Sequence, residues 1–194
     1  MADRPNGNNE SLEVTQFRAY PDLDIRMEII IRCQEVKRWH MVDVVPPQTV
    51  AAHSAVVGLL ATYIAHTCPG MYFGSSVEIA FQGLIHDLAE SMTGDIPSHT
   101  KQALGSDIKS LEDKLTPNWL RPTQDSKIKC LIKLCDLAEA VRYVKTHGVT
   151  RVADWAAEGL RARVNAQLYK MEEEFPDIVC IHVRKQLTDY MDVR

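Results

Sequence analysis

The stretch Gly83-Leu-Ile-His86-Asp87-Leu-Ala-Glu90 sets three ionisable residues at the end of an apolar run, Ile79 to Ile85, that reads as a buried helix. Positions i and i+4 of a helix stack on one face, and i+1 to i+4 is a three-residue step onto the same side. His86, Asp87 and Glu90 are therefore expected to point roughly the same way. Ionisable groups on a greasy helix are costly to bury unless they bind something. Thr93-Gly94-Asp95-Ile96-Pro97 follows as a turn signal and ends the helix. A His-Asp pair alone is a common surface or core feature. The rest of the chain decides whether it means more.

The chain has 194 residues, 45% of them hydrophobic, with a net charge of −4. That suits one globular domain with a sizeable core. The mild acidity argues against a nucleic-acid groove, which needs a clustered positive face. The five cysteines, at 33, 68, 130, 135 and 180, include no C-x-x-C pair and suggest neither a disulfide framework nor a zinc knuckle. A reducing, cytoplasmic compartment is the expectation, the host cytoplasm if the gene is viral. No run reads as a membrane span and no hydrophobic signal region opens the chain, so no membrane partner is expected.

Residues 1–11 are polar and read as a disordered tail, leaving 12–194 as the domain. A first helix is predicted from near Leu23 to Arg38, with Arg38-Trp39 at its end. Val44-Val45-Pro46-Pro47 then favours a new start. The second helix is predicted from about Gln48 to His66, where Val50, His53, Val57, Leu60 and Ile64 form one stripe. His53 thus falls in the buried stripe, where a packed core histidine is the plain alternative. The third helix is predicted over Ser76–Met92 and short helices or turns over Pro97–Leu115. Pro117 and Pro122 bracket a loop. The next helix, about Gln124 to Thr146, is strongly apolar but contains Asp136, followed by Glu139. An aspartate there needs a partner if buried, and the plain alternatives are a rim charge or an ion pair with Arg142. Long helices over Val152–Glu174, with Trp155, Leu160, Val164 and Leu168 as core positions, and Val179–Tyr190 complete the chain. No strand signal stands out. The fold class is all-α.

His53, His86, Asp87 and Asp136 each interrupt an apolar helical pattern. Two imidazoles and two carboxylates suit a divalent cation and leave coordination positions open, as a catalytic metal requires. In the order H…HD…D, these residues resemble the signature of the HD-domain metal phosphohydrolases. Arg38-Trp39, Thr49-Val-Ala-Ala-His53-Ser54, His86-Asp-Leu-Ala-Glu90, and Thr93-Gly-Asp-Ile-Pro97 through Lys101 extend the likeness to two groups. These are the bacterial 5′-deoxynucleotidases and the phage dATP triphosphohydrolases. The similarity covers roughly Arg38 to Val144. One departure is Ala52, where these families usually carry a glutamate next to the metal-binding histidine.

The resemblance implies a single helical HD-domain bundle around a central metal site, binding zinc, cobalt, manganese, iron or magnesium through His53, His86, Asp87 and Asp136. It implies that Glu90 handles the proton, that Arg38 clamps the phosphate, and that Trp39 packs against sugar or base. Asp95 approaches the sugar 3′-hydroxyl, and Ile96, Pro97 and Ser98 line that side of the pocket. Lys101, with Lys109, meets further phosphates or is merely solvated. His53, Asp87 and Asp136 would touch the substrate through the site they form. The implied partner is a 2′-deoxynucleotide, and the implied assembly a homo-oligomer. Four readings stay open: a purine dNTP triphosphohydrolase acting on dATP, favoured by Gly94-Asp-Ile-Pro-x-x-Thr-Lys; a deoxynucleoside monophosphatase; a non-catalytic nucleotide sensor; and a helical protein whose His and Asp residues are packing accidents.

Overall fold

Two apolar helices fix the frame. The computed structural model describes residues 25–70 and 75–192, and among these the only regular elements are helices, with two isolated β-bridges and no strand. In chain order they are α1 (Ile25–Arg32), α2 (Val50–Thr67), α3 (Ser76–Ile85), α4 (Glu90–Thr93), α5 (Ser98–Leu104) and α6 (Ser106–Leu115). A 3-10 turn (Asn118–Leu120) then leads to α7 (Ser126–His147), α8 (Arg151–Glu174) and α9 (Cys180–Asp192). The expected tail, and the start of the domain at residue 12, lie outside the described residues.

Local sequence explains where the central helices begin. Thr49 caps α2 by accepting from the Ala52 amide, and Asp125 caps α7 by accepting from the amides of Lys127 and Ile128. Such caps satisfy N–H groups that have no partner within the helix. α7 packs against α2, α8 and α9, so it is apolar on most sides. Val57 and Ile64 of α2 meet Leu131, Leu134 and Cys135 of α7, with Leu168 of α8 and Leu187 of α9. Each fully buried Leu or Ile of this kind stabilises the fold by roughly 1.5–3 kcal/mol. By length and composition α2 could cross a membrane, contrary to the reading of the sequence. Here it is a core helix with half of that span buried.

α2 and α3 cross where two glycines meet. A Cβ on Gly83 would lie 2.4 Å from the Gly58 Cα, so neither backbone tolerates a side chain at the contact. This approach brings the end of α3, and hence His86, beside His53 on α2.

Three expectations need correction. α1 ends at Arg32 rather than Arg38. The amides of Glu35 and Val36 close back onto the Arg32 carbonyl, and the chain then runs extended, with Lys37 bridged to Thr49 and the Arg38 amide donating to the Gln48 carbonyl. Arg38 and Trp39 therefore sit on an extended segment. The third helix stops at Ile85, and residues 86–89 form a turn. There the amides of Leu88, Glu90 and Ser91 each reach back three residues, tightening the backbone. Trp155 is 62% exposed, because α8 buries the stripe Ala153, Ala157, Val164, Leu168 and Met171 and Trp155 lies off it.

Candidate active site

His53 comes from the buried stripe of α2, His86 and Asp87 from the turn after α3, and Asp136 from α7. One ligand atom from each lies within 4.8 Å of all the others. The Nε2 of His53 is 3.3 Å from Asp136 Oδ1 and 3.5 Å from Asp87 Oδ2, and that of His86 is 3.3 Å from Asp87 Oδ2. Neither Nε2 has a hydrogen-bond partner, although both are buried. The opposite nitrogens are both engaged. His86 Nδ1 donates to the Gly83 carbonyl at 2.7 Å, and His53 Nδ1 meets Glu139 Oε2. A carbonyl or carboxylate can only accept, so each Nδ1 carries a proton and each Nε2 is free to face a cation. Two buried, unpartnered imidazole nitrogens facing two carboxylates fit a divalent cation.

The charges of the cluster depend on one another. Burial and the Arg38 charge work against a protonated His53, but the carboxylates of Asp136, Asp87 and Glu139 outweigh them and raise it to about 10. Burial alone would raise Asp87, yet His86, His53 and Arg38 hold it well below the usual carboxylate range. Asp136 is likewise lowered against its burial, by His53 and Lys133. Its nearest ion-pair partner is Lys133, at 2.6 Å, followed by His53 and Arg38. Glu90 goes the other way. Burial first, then the charge of Asp87, push it up to about 7 despite Lys101.

A cleft of about 400 Å³ opens over the cluster, with Asp87, Glu90 and Asp136 on its floor. Arg38 enters it from the extended segment. Its Nε and Nη1 are buried without partners, and its Nη2 is 3.9 Å from Asp136 Oδ1. A buried guanidinium with unmet donors is a site for an anion such as phosphate. Trp39 adopts a left-handed backbone, φ 71°, unusual for a bulky residue and costly unless its surroundings hold it. Two bonds do so: its amide donates to Asp95 Oδ2 at 3.1 Å and its indole Nε1 donates to Gln48 Oε1 at 3.0 Å.

The expected pocket residues assemble unevenly. Arg38, Trp39, Asp95, Ile96, Pro97 and Ser98 line the cleft together. Lys101 lines it too, but its ammonium is tied to Glu90 and Glu112 rather than solvated. Lys109 lines a separate surface groove beside Trp119. His53 is fully buried and is not among the lining residues of the cleft, so it can reach a substrate only through what the cluster holds. His86 instead lines a smaller opening of about 230 Å³, with Lys129 and Lys133, that reaches the same cluster. Sequence reasoning gave no role to Lys133, Arg163, Gln48 or Glu139. Glu139 alone left a signal, as a second acid in an apolar helix. His53 Nδ1 is met by Glu139, and Ala52 lies on the exposed side of α2.

An all-α bundle holding His, His-Asp and Asp at one centre beneath a phosphate-sized arginine site defines an HD-domain protein. Residues 26–143 match the family model described as 5′-deoxynucleotidase YfbR-like, and the chain belongs to that family. It is similar to the dATP triphosphohydrolase of Salmonella phage PMBT28, 30% identical over 72% of this chain and 76% of that one. It is also 33% identical to the dATP triphosphohydrolase of Cyanophage S-2L, over 61% of this chain and 69% of the other. A solved structure, the Cyanophage S-2L HD phosphohydrolase (DatZ) bound to dA and one catalytic Zn2+ ion, superposes with a TM-score of 0.67. It is 26% identical and the match covers 88% of this chain and 95% of that one.

Proposed function

We propose that this protein is a metal-dependent dATP triphosphohydrolase that cuts at the α-phosphate and releases deoxyadenosine and intact triphosphate. One observation carries the reading: two of the four clustered ligands, Asp87 and Asp136, line the cleft that Arg38 also lines, and two of the Arg38 donors have no partner. The names of the phage relatives and the dA and zinc of the structural neighbour support it.

His53, His86, Asp87 and Asp136 would hold the cation, with zinc as first choice, given two imidazole ligands and the neighbour's ion. When bound, such an ion lowers the pKa of a water and withdraws charge from a phosphate oxygen. Arg38 binds the α-phosphate and meets the charge that develops on it. Glu90, with its carboxyl near neutrality, can take a proton from the attacking water and return it to the departing O5′ of the sugar. Water oxygen bonds to phosphorus, the P–O5′ bond breaks, and the proton ends on the nucleoside. Trp39 and Asp95, locked to each other, form the nucleoside wall. Asp95 and Pro97 would disfavour a ribose 2′-hydroxyl. Lys133 at the cluster and Arg163 at the cleft, rather than Lys109, would meet the β- and γ-phosphates. The compartment we propose is the cytoplasm, and the working form a homo-oligomer.

A second reading, hydrolysis of deoxynucleoside monophosphates to nucleoside and phosphate, has one observation in its favour. The lysine expected to meet extra phosphates, Lys101, is already held by two carboxylates. Incubating the metal-loaded protein with dATP and dAMP, and resolving products by chromatography, separates the readings. Deoxyadenosine with triphosphate is the expected result. Turnover of dAMP alone selects the second reading, and dADP or pyrophosphate as first product overturns cleavage at the α-phosphate.

A further inference from the structure

Behind His53 runs a buried line of hydrogen bonds. His53 Nδ1 meets one oxygen of Glu139, the other oxygen accepts from Gln48 Nε2 at 2.5 Å, and Gln48 Oε1 accepts from the Trp39 indole at 3.0 Å. Gln48 and Glu139 are 4% and 3% exposed, so water does not compete for these bonds. Every polar atom along the line has one assigned partner, and each bond joins residues from different parts of the chain. The Trp39 amide extends the line to Asp95. It therefore starts at the nucleoside wall and ends on the nitrogen opposite the one that faces the cation site.

We infer that Glu139 and Gln48 are positioning residues, which lock the His53 ring with Nε2 toward the cation and tie its position to Trp39. The inference rests on the proposed metal centre. The physical reason is that a ligating imidazole gains basicity and a fixed orientation from an acceptor on its far nitrogen. His86 obtains that from its own helix end, through the Gly83 carbonyl. His53 Nδ1 instead meets a side chain of the neighbouring helix α7, 86 residues on. Glu139 in turn could rotate about its own side chain unless Gln48 held its second oxygen. Neither residue lines the cleft, so neither is catalytic.

Zinc titration of the metal-free protein, followed by calorimetry, tests this without any turnover. Wild type should bind one zinc. Glu139→Ala should weaken zinc binding by about 10–100-fold, the usual effect of losing such a contact. Gln48→Met, which keeps the volume but drops the bridge, should weaken it in the same direction by less. If Glu139→Ala does not fold, Glu139→Gln, which keeps an acceptor oxygen but no charge, should still bind zinc more weakly than wild type. Folded variants that bind zinc as tightly as wild type would overturn the inference, even if their melting temperatures fell. A wild type that binds no zinc would instead count against the metal centre itself.

Discussion

Buried Glu90 pairs with half-buried Lys101, Oε1 to Nζ 2.7 Å, and its carboxyl is nevertheless pushed up to about 7. The ammonium is shared with Glu112 at 3.1 Å, and Asp87 faces Glu90 from the metal cluster. If Glu90 handles the proton as proposed, Lys101 is expected to act on that group rather than on the distal phosphates. Lys101→Met removes the cation that is paired with the Glu90 carboxyl and lowers it. The limb of the pH–rate profile that belongs to Glu90 should move to higher pH, while KM for dATP changes little. An unshifted limb with a raised KM would return Lys101 to phosphate binding.

Glu90 also makes a stability prediction. A carboxyl raised in the folded state favours the neutral form, so its contribution is fully present below the unfolded value of 4.5. That contribution is lost as pH rises through about 7. Glu90→Gln has no such titration. In the metal-free protein it should therefore gain on wild type between those pH values in denaturant melts. The same variant should keep its metal yet lose about a hundredfold or more in rate, the scale of general acid–base catalysis.

Removing a cluster residue should act on the metal before the chemistry. His86→Ala and Asp136→Ala each delete one of the four grouped ligands. Each should lose stoichiometric metal by elemental analysis and lose turnover. Asp136→Ala also frees Lys133 from its 2.6 Å pair, so that variant should still fold. Near-normal metal content in either variant would remove that residue from the centre.

Sugar choice should depend on Asp95. Its bond to the Trp39 amide holds a residue in a left-handed backbone, so Asp95→Ala is expected to loosen that wall of the cleft as well as to remove the proposed sugar contact. The ratio of kcat/KM for dATP over ATP should fall by about tenfold or more, as a lost polar contact of one to two kcal/mol allows. An unchanged ratio would place sugar selection elsewhere in the cleft.

Gly83→Ala tests how the two histidines are brought together. The added methyl would meet the Gly58 Cα at 2.4 Å, backbone against backbone, with no flexible side chain to yield. Overpacking of this kind costs typically about 1–3 kcal/mol and forces backbone shifts. A lower melting temperature together with weaker zinc binding is the expected outcome.

The helices were legible where one face repeats. The α2 stripe and the apolar length of α7 follow from side-chain spacing, and so did the placing of His53 and Asp136 as misfits in those patterns. The end of α3 was not legible. Leu88, Ala89 and Met92 keep helical spacing after Ile85, and only the backbone shows that His86 and Asp87 sit in a tightened turn. Trp39 could not be foreseen in a left-handed conformation, because nothing in Arg38-Trp39-His40 signals it. Glu139 and Gln48 were missed for a different reason. Their roles lie in contacts across 86 and 91 residues of chain, which no local pattern encodes. Lys101 was misjudged because base rates place lysine in water, whereas two carboxylates here surround it.

The arginine that draws an anion into the cleft has a cost on the way out. Arg38 keeps two N–H groups buried and unanswered until a phosphate oxygen reaches them. Those donors cannot tell a phosphoryl group still joined to a sugar from one just severed. The inorganic product carries more charge than the ester it came from, so it should be gripped at least as firmly. Under the proposed function, tight holding of that product at Arg38 is expected to slow its escape. Added triphosphate should then inhibit turnover, and an unaffected rate would count against such holding.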